Sequence, residues 1–461
     1  MESYLTKQGR EGFFFLRMHG TMHLNSRGHL EIGGCDTVQL AQEFGTPLYV
    51  LDESLIRERC RQYCSSLARH YPDSEVLYAG KTFLALALCR IMEEEGLGLD
   101  VASGGELYTA LRAGFPPHRL YFNGNNKSPA ELSMALEVGI GRIVVDNLYE
   151  LDLLEHLARR HRTKARILLR VTPGIEAHTH HYIQTGQEDS KFGLGLQSGA
   201  ALEGVRKALS SRSLLLKGLH CHIGSQIFDL EPYRLAAEAM IGFMAEIRDH
   251  LGVALEELDL GGGLGIPYLT TDEPPSVEDL ITVLASAVKE TASRRDLPLP
   301  RLILEPGRSI VGDAGTTLYT VGAIKCLPGV RNYLAVDGGM ADNPRHALYG
   351  ARYEAILANR AAEPGQEVYT VAGKCCESGD ILIRDLLLPQ ARPGDILAVS
   401  CTGAYNYSMS SNYNRLPRPA AVLVAAGQAD LILERETYED LIAKDIIPKR
   451  LGGTKTLPFA L

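Results

Sequence analysis

From about residue 46 to residue 310, short β-branched or apolar runs alternate with longer stretches whose apolar residues recur every three or four positions. The apolar runs predict eight strands: Val76–Gly80, Leu99–Ala102, Leu120–Asn123, Ile143–Asp146, Ile167–Val171, Gly218–Ile223, Leu258–Leu260 and Ile303–Glu305. Between them, segments such as Ala130–Val138 and Tyr149–Arg160 read as amphipathic helices. Strand and helix in alternation predict a parallel α/β sheet, and eight units in roughly 250 residues match a TIM-like (β/α)8 barrel, with a doubly wound open sheet as the alternative. Polar and glycine-rich groups follow the strand ends: Lys81, Ser103-Gly104-Gly105-Glu106, Gly224-Ser225 and Gly261-Gly262-Gly263. A barrel gathers all of these at one mouth, the face where barrel active sites lie.

Beyond residue 312 the texture changes to strand-like runs cut by Gly, Pro and Asp turns, among them Thr317–Val321, Tyr333–Val336, Glu367–Val371, Ile396–Val399 and Ala421–Val424. These predict a mostly antiparallel β-barrel or sandwich. Residues 1–45, with Gly28-His29-Leu30-Glu31-Ile32-Gly33, also have strand-and-turn character and are expected to pack with it. The expected domains are thus 1–45, a barrel over 46–311 and a β domain over 312–461.

Composition narrows the functions. The net charge is −9 with no long basic run, which argues against nucleic acid or an anionic membrane as partner and leaves small molecules. Nine cysteines, an odd number without a CxxC pair, do not make a secreted disulfide framework and point to the cytoplasm. Met1 to Met18 lacks the apolar core of a signal peptide, and no run of eighteen apolar residues occurs.

Individual residues offer chemistry. Lys81 sits at a strand terminus among apolar residues, where burial would lower its pKa and favour imine formation; a solvated loop lysine is the alternative. The triple glycine could bring backbone N–H groups to an anion, or be only a turn. Glu305-Pro306-Gly307-Arg308 offers a carboxylate for a protonated ring nitrogen and a guanidinium for a carboxylate or phosphate, or else a structural salt bridge. His220-Cys221-His222 places two imidazoles two apart on a strand, where metal ligation is possible but further ligands are missing from the pattern; no metal is expected. Gly373–Asp380 collects Cys375, Cys376, Glu377 and Ser378, and Gly403–Met409 collects Tyr405 and other hydrogen-bonding groups.

In chain order these motifs resemble those of the diaminopimelate decarboxylase family, fold-type III pyridoxal-phosphate enzymes with an alanine-racemase-type barrel. The likeness spans nearly the whole chain. It rests on Tyr78-Ala79-Gly80-Lys81, Asp100 through Leu107, Glu176-Ala177-His178-Thr179-His180 through Lys191-Phe192-Gly193, and His220 through Gln226. It continues in the triple glycine, Glu305 through Arg308, Cys376-Glu377-Ser378, and Gly403-Ala404-Tyr405 with Met409 through Asn414.

The resemblance implies decarboxylation of meso-2,6-diaminopimelate to L-lysine and CO2, the last step of lysine biosynthesis, by a homodimer whose active sites are shared across the interface. Lys81 would carry pyridoxal 5'-phosphate, Glu305 would hold the pyridine nitrogen protonated, and His222 would stack on the ring. Ser225, Gly261, Gly262, Gly263, Pro306, Gly307, Arg308 and Tyr405 would complete the cofactor site. Arg308, Arg345, Tyr349, Glu377 and Tyr405 would bind substrate, and Cys376, brought with Glu377 by the neighbouring subunit, would reprotonate the α-carbon.

Three positions depart from the family pattern: Lys81-Thr82-Phe83 in place of Lys-Ala-Asn, His346 in place of the proline after Arg345, and Cys375 beside Cys376. Arg345 disfavours substrates that end in an amine or guanidinium, which need an acidic group there. Lys81, Glu305 and Cys376 are all present, against a non-enzymatic relative.

Overall fold

A computed structural model describes residues 16–175 and 190–452. The motif Glu176-Ala177-His178-Thr179-His180 and the first fifteen residues, included in the signal-peptide reading, lie outside that description.

Eight parallel strands form a closed ring: Ser74–Ala79, Gly98–Val101, Leu120–Phe122, Arg142–Val145, Ala165–Thr172, Leu214–His220, Glu257–Asp259 and Arg301–Leu304. Closure is explicit, because Leu302–Leu304 pairs in register with Ser74–Val76 and Ile143–Val145 with Ile167–Leu169. An open doubly wound sheet would leave two such edges unpaired. Inside the ring Leu77, Tyr121, Val144, Leu168 and Ile303 make a small core of their own, so the barrel is filled rather than hollow.

The helices outside the ring begin where side chains satisfy their free N–H groups. Ser128 with Glu131 and Ser276 with Asp279 form capping boxes for Pro129–Val138 and Val277–Arg294. Ser103 and Asn147 cap Gly104–Arg112 and Leu148–Arg160. The long helix Val277–Arg294 turns Leu280, Ile281, Leu284 and Val288 inward and packs between Glu53–His70 and Glu231–Leu251.

A second sheet runs in the order Ile381–Leu388, Glu367–Ala372, Arg331–Val336, Gly315–Leu327, Leu48–Asp52, Ala420–Ala425, Gln428–Leu433. Ile396–Val399 also pairs with Gly315–Leu327 and carries Ala355–Leu357. Pairing is antiparallel except between Arg331–Val336 and Glu367–Ala372 and between Leu48–Asp52 and Ala420–Ala425.

Leu48–Asp52 falls on the barrel side of the boundary expected at residue 46, yet it is a central strand of this sheet, buried along its whole length. The chain changes domain at Asp52. That residue ends the strand and its carboxylate accepts from the Leu55 N–H, opening the first barrel helix. The N-terminal strands His23–Leu24, Leu30–Ile32 and Cys35–Asp36 make a three-stranded sheet, whose Leu30 and Ile32 pack with Leu48, Val50, Leu318 and Val422. No described helix is long and apolar enough to cross a membrane.

Candidate active site

The C-terminal ends of the barrel strands carry buried polar side chains: Asp100, Asn123, Asp146, Arg170, His220, Asp259 and Glu305. Burying so many is costly unless they satisfy one another. They largely do. Asn123 Nδ2 donates to Glu305 Oε1 at 2.8 Å and to Asp100 Oδ1 at 2.7 Å, and His220 Nε2 lies 3.2 Å from Glu305 Oε2. Asp259 Oδ1 accepts from the Gly261 N–H, while Asp259 Oδ2 and His220 Nδ1 are buried without a hydrogen-bond partner.

Three carboxyl groups so close cannot all ionise. Burial and the Glu305 charge push Asp100 upward, and the same two causes push Asp259 well above the carboxylate range. Burial acts on Glu305 too, but the His220 hydrogen bond and the Lys81 charge outweigh it and hold Glu305 low. Glu305 therefore carries the negative charge of the group. His220 is pushed down by burial, so a neutral ring with its proton on Nε2 suits the contact with Glu305.

Lys81 follows the first strand on the turn Gly80–Thr82 and is exposed at the barrel mouth, with Tyr405, Asp100 and Glu305 near enough to act on its charge. Burial was expected to lower its pKa. It does pull downward, but Tyr405, Asp100 and Glu305 overcome it and the net direction is up. The turn is tightly held. Thr82 Oγ1 donates to the Ala79 carbonyl at 2.7 Å and lies 2.9 Å from the Tyr78 hydroxyl, which itself donates to the Phe83 carbonyl. The Tyr405 N–H and Ser408 hydroxyl both donate to the Thr82 carbonyl, tying the second domain to the lysine turn.

The triple glycine is required by close approach. Gly261 has φ +69°, and a Cβ there would stand 2.7 Å from His222 Nδ1; on Gly262 it would collide with the Glu305 carbonyl. The Gly262 N–H donates to His222 Nδ1 at 3.3 Å. Burial, with Lys81 and Arg170 nearby, drives His222 well below the usual imidazole range, so it presents a neutral ring.

The Ser225 hydroxyl receives Arg308 Nη2 at 2.9 Å and Nε at 3.3 Å, and the Arg308 guanidinium lies 4.8 Å from the Tyr405 ring centroid. Pro306 and Gly307 join the lysine turn, the first through its carbonyl to the Ala79 N–H, the second through close contact with Thr82. Arg345 is buried and donates from Nη1 to the hydroxyls of Tyr268 at 2.8 Å and Tyr353 at 3.0 Å. Tyr349 is half-buried at the end of the short helix Arg345–Tyr349.

Cys376 and Glu377 stand apart, exposed on the loop between Glu367–Ala372 and Ile381–Leu388. The Cys376 N–H donates to Asn414 Oδ1, and Glu377 Oε1 accepts from the Gly379 N–H. Cys375 turns inward beside Asp380, where burial pushes its thiol up to about 12. Of the two adjacent cysteines, only Cys376 presents its side chain to solvent.

Tyr268, Tyr353, Asn123, Arg170 and Asp259 were not anticipated. Four of them carry a common signal, a polar residue interrupting or closing an apolar strand, as in Leu258-Asp259-Leu260, or a hydroxyl on a post-strand loop, as in Ile266-Pro267-Tyr268. His220, Asp259 and Glu305 offer ligand atoms within 4.8 Å of one another, but Asn123, His220 and Gly261 already donate to the carboxylates.

An amine at the barrel mouth, an ionised carboxylate acting on it, a neutral imidazole and a glycine run that admits close backbone approach fit an aromatic aldehyde with a basic ring nitrogen and a phosphate. Residues 53–312 match the family of pyridoxal-dependent decarboxylases through its pyridoxal binding domain. The chain is 54% identical over 429 residues to the diaminopimelate decarboxylase of Bacillus subtilis (strain 168), covering 93% of this chain and 98% of that one. It is 54% identical over 428 residues to that of Halalkalibacterium halodurans, covering 93% and 98%. The crystal structure of diaminopimelate decarboxylase from M. jannaschii in complex with L-lysine superposes with a TM-score of 0.87 at 38% identity, over 94% of this chain and 99% of that one. The closed parallel barrel with its attached sheet, the residues at its mouth and these likenesses agree: the chain belongs to the diaminopimelate decarboxylase family of pyridoxal-dependent carboxy-lyases.

Proposed function

We propose that the protein converts meso-2,6-diaminopimelate to L-lysine and CO2 in the cytoplasm, with pyridoxal 5'-phosphate held on Lys81. The observation that carries this reading is Glu305: a buried carboxylate kept ionised by the His220 and Asn123 hydrogen bonds and the Lys81 charge, at the barrel mouth that also carries Lys81. Bound there, the cofactor supplies an electron sink for the pair left behind when CO2 departs.

The protein's own groups do the rest. Glu305 would keep the ring nitrogen protonated and His222 would present a neutral face to the ring; the Gly263 and Gly307 backbone N–H groups, with Ser225 and Tyr405, would receive the phosphate, while the Gly261 and Gly262 N–H groups hold Asp259 and His222 in place. Arg345 and Arg308 would draw the distal carboxylate, with Tyr349 and Glu377 at the remaining polar end. Cys376 Sγ gives its proton to the carbon that lost CO2, and its place on an exposed loop with Glu377 supports delivery into the site of a second copy of the chain. Residues 53–311 carry most of the groups proposed for the cofactor, with Arg308 toward the substrate, and the remainder supplies Arg345, Tyr349, Cys376, Glu377 and Tyr405. Release of CO2 and lysine from meso-diaminopimelate, dependent on added cofactor, tests the reading.

A further inference from the structure

Tyr268 lies 8% exposed on the loop after the seventh barrel strand, between two buried guanidiniums. Arg308 Nη1 and Arg345 Nη1 both donate to its hydroxyl oxygen, and both guanidiniums also lie over its ring, 5.7 and 5.2 Å from the centroid. Among the described residues no carboxylate lies within ion-pair distance, 4.0 Å, of either arginine. Two cations are thus packed around a neutral oxygen. Buried charges are normally compensated, so this arrangement calls for an anion.

The donor inventory shows how that anion would be met. Arg308 uses Nε and Nη2 on Ser225, and among the described residues Arg345 donates from Nη1 alone, to Tyr268 and Tyr353. The Nε–Nη2 edge of Arg345 remains, a two-donor fork matched to one carboxylate. A phenol oxygen that accepts from two arginines still has its own hydrogen to give.

We infer that Tyr268 is a specificity-determining positioning residue: its hydroxyl couples Arg308 to Arg345, fixes the Arg345 fork and completes a receptor for the second carboxylate of a dicarboxylic amino acid. An acidic residue at this place would neutralise the pair and admit substrates ending in an ammonium. The inference rests on the proposed decarboxylation. It adds that selectivity against lysine-like substrates depends on the oxygen at residue 268.

Steady-state decarboxylation by the cofactor-loaded enzyme tests it, with meso-diaminopimelate and L-lysine as competing probes. Tyr268→Phe is expected to raise KM for meso-diaminopimelate about tenfold or more with kcat within about threefold, and to lower the selectivity ratio by a similar factor. Tyr268→Gln, which restores an acceptor oxygen, recovers part of the loss. Should the Phe variant not fold, Tyr353→Phe removes the other acceptor of the same Nη1 and is expected to raise KM in the same sense. Unchanged KM and selectivity in a folded variant, or an equal fall in kcat, overturns the inference. If the unmodified enzyme releases no CO2 from meso-diaminopimelate, the functional reading itself fails, a distinguishable result.

Discussion

Arg308 and Arg345, 37 positions apart in sequence and in different domains, are joined through the single hydroxyl oxygen of Tyr268. One arginine continues to Ser225 and Tyr405; the other continues through Tyr353 to Asn406, the neighbour of Tyr405. The groups proposed for the substrate end and the cofactor end therefore form one connected set, and changes at either end should be felt by the other.

Arg345→Lys keeps the charge but loses the planar fork. We expect kcat/KM for meso-diaminopimelate to fall by about 100-fold, mostly through KM, with the bound-cofactor spectrum unchanged. Steady-state kinetics beside an absorbance scan checks both.

Lys81→Ala should abolish the absorbance band at roughly 410–430 nm expected of a protonated cofactor imine, together with turnover. Borohydride treatment should fix the cofactor to unmodified protein at Lys81, located by peptide mass spectrometry.

Glu305→Gln leaves the shape of the pocket but removes the charge that His220 and Asn123 hold in place. We expect cofactor to bind and kcat to fall by about 100- to 1,000-fold. Retained activity would remove Glu305 from the account.

The two neighbouring thiols should separate cleanly. Cys376→Ser is expected to lower kcat by about 100-fold or more, whereas Cys375→Ser, altering a buried thiol beside Asp380, should cost about threefold at most. Limited alkylation of native protein should label Cys376 ahead of Cys375.

Asp342 gives a stability signature. Its carboxyl is buried, bonded to Tyr319 and the Gly339 N–H, and burial raises it to about 7 from an ordinary 3.8. A raised carboxyl binds protons in the folded state that the unfolded chain has released, so its contribution falls as pH climbs from about 4 to about 7 and is flat above. Thermal midpoints of Asp342→Asn should lose that part of the pH dependence relative to the unmodified protein.

Strands, helices and the barrel were legible in the sequence because period and punctuation are local: Ser128 three residues before Glu131 announces a helix whatever lies around it. That Lys81, Glu305 and the glycine run lie together at the barrel mouth was legible because each follows an apolar strand. The strand Leu48–Asp52 was assigned to the wrong side of the domain boundary because its partners, Gly315–Leu318 and Ala420–Val424, lie hundreds of residues away, and an apolar run does not say which sheet it joins. Tyr268 was invisible for a related reason: its role exists only where Arg308 and Arg345 meet. The direction of the Lys81 shift also depended on neighbours, Tyr405 and Asp100, that spacing alone does not bring together.

The most direct test of the central claim is a single assay: purified protein, pyridoxal 5'-phosphate and meso-2,6-diaminopimelate, with CO2 and lysine quantified together. Equimolar CO2 and L-lysine are expected, dependent on the cofactor and lost in Lys81→Ala. No CO2 from meso-diaminopimelate with the cofactor bound, or faster CO2 release from lysine or ornithine, would contradict that claim.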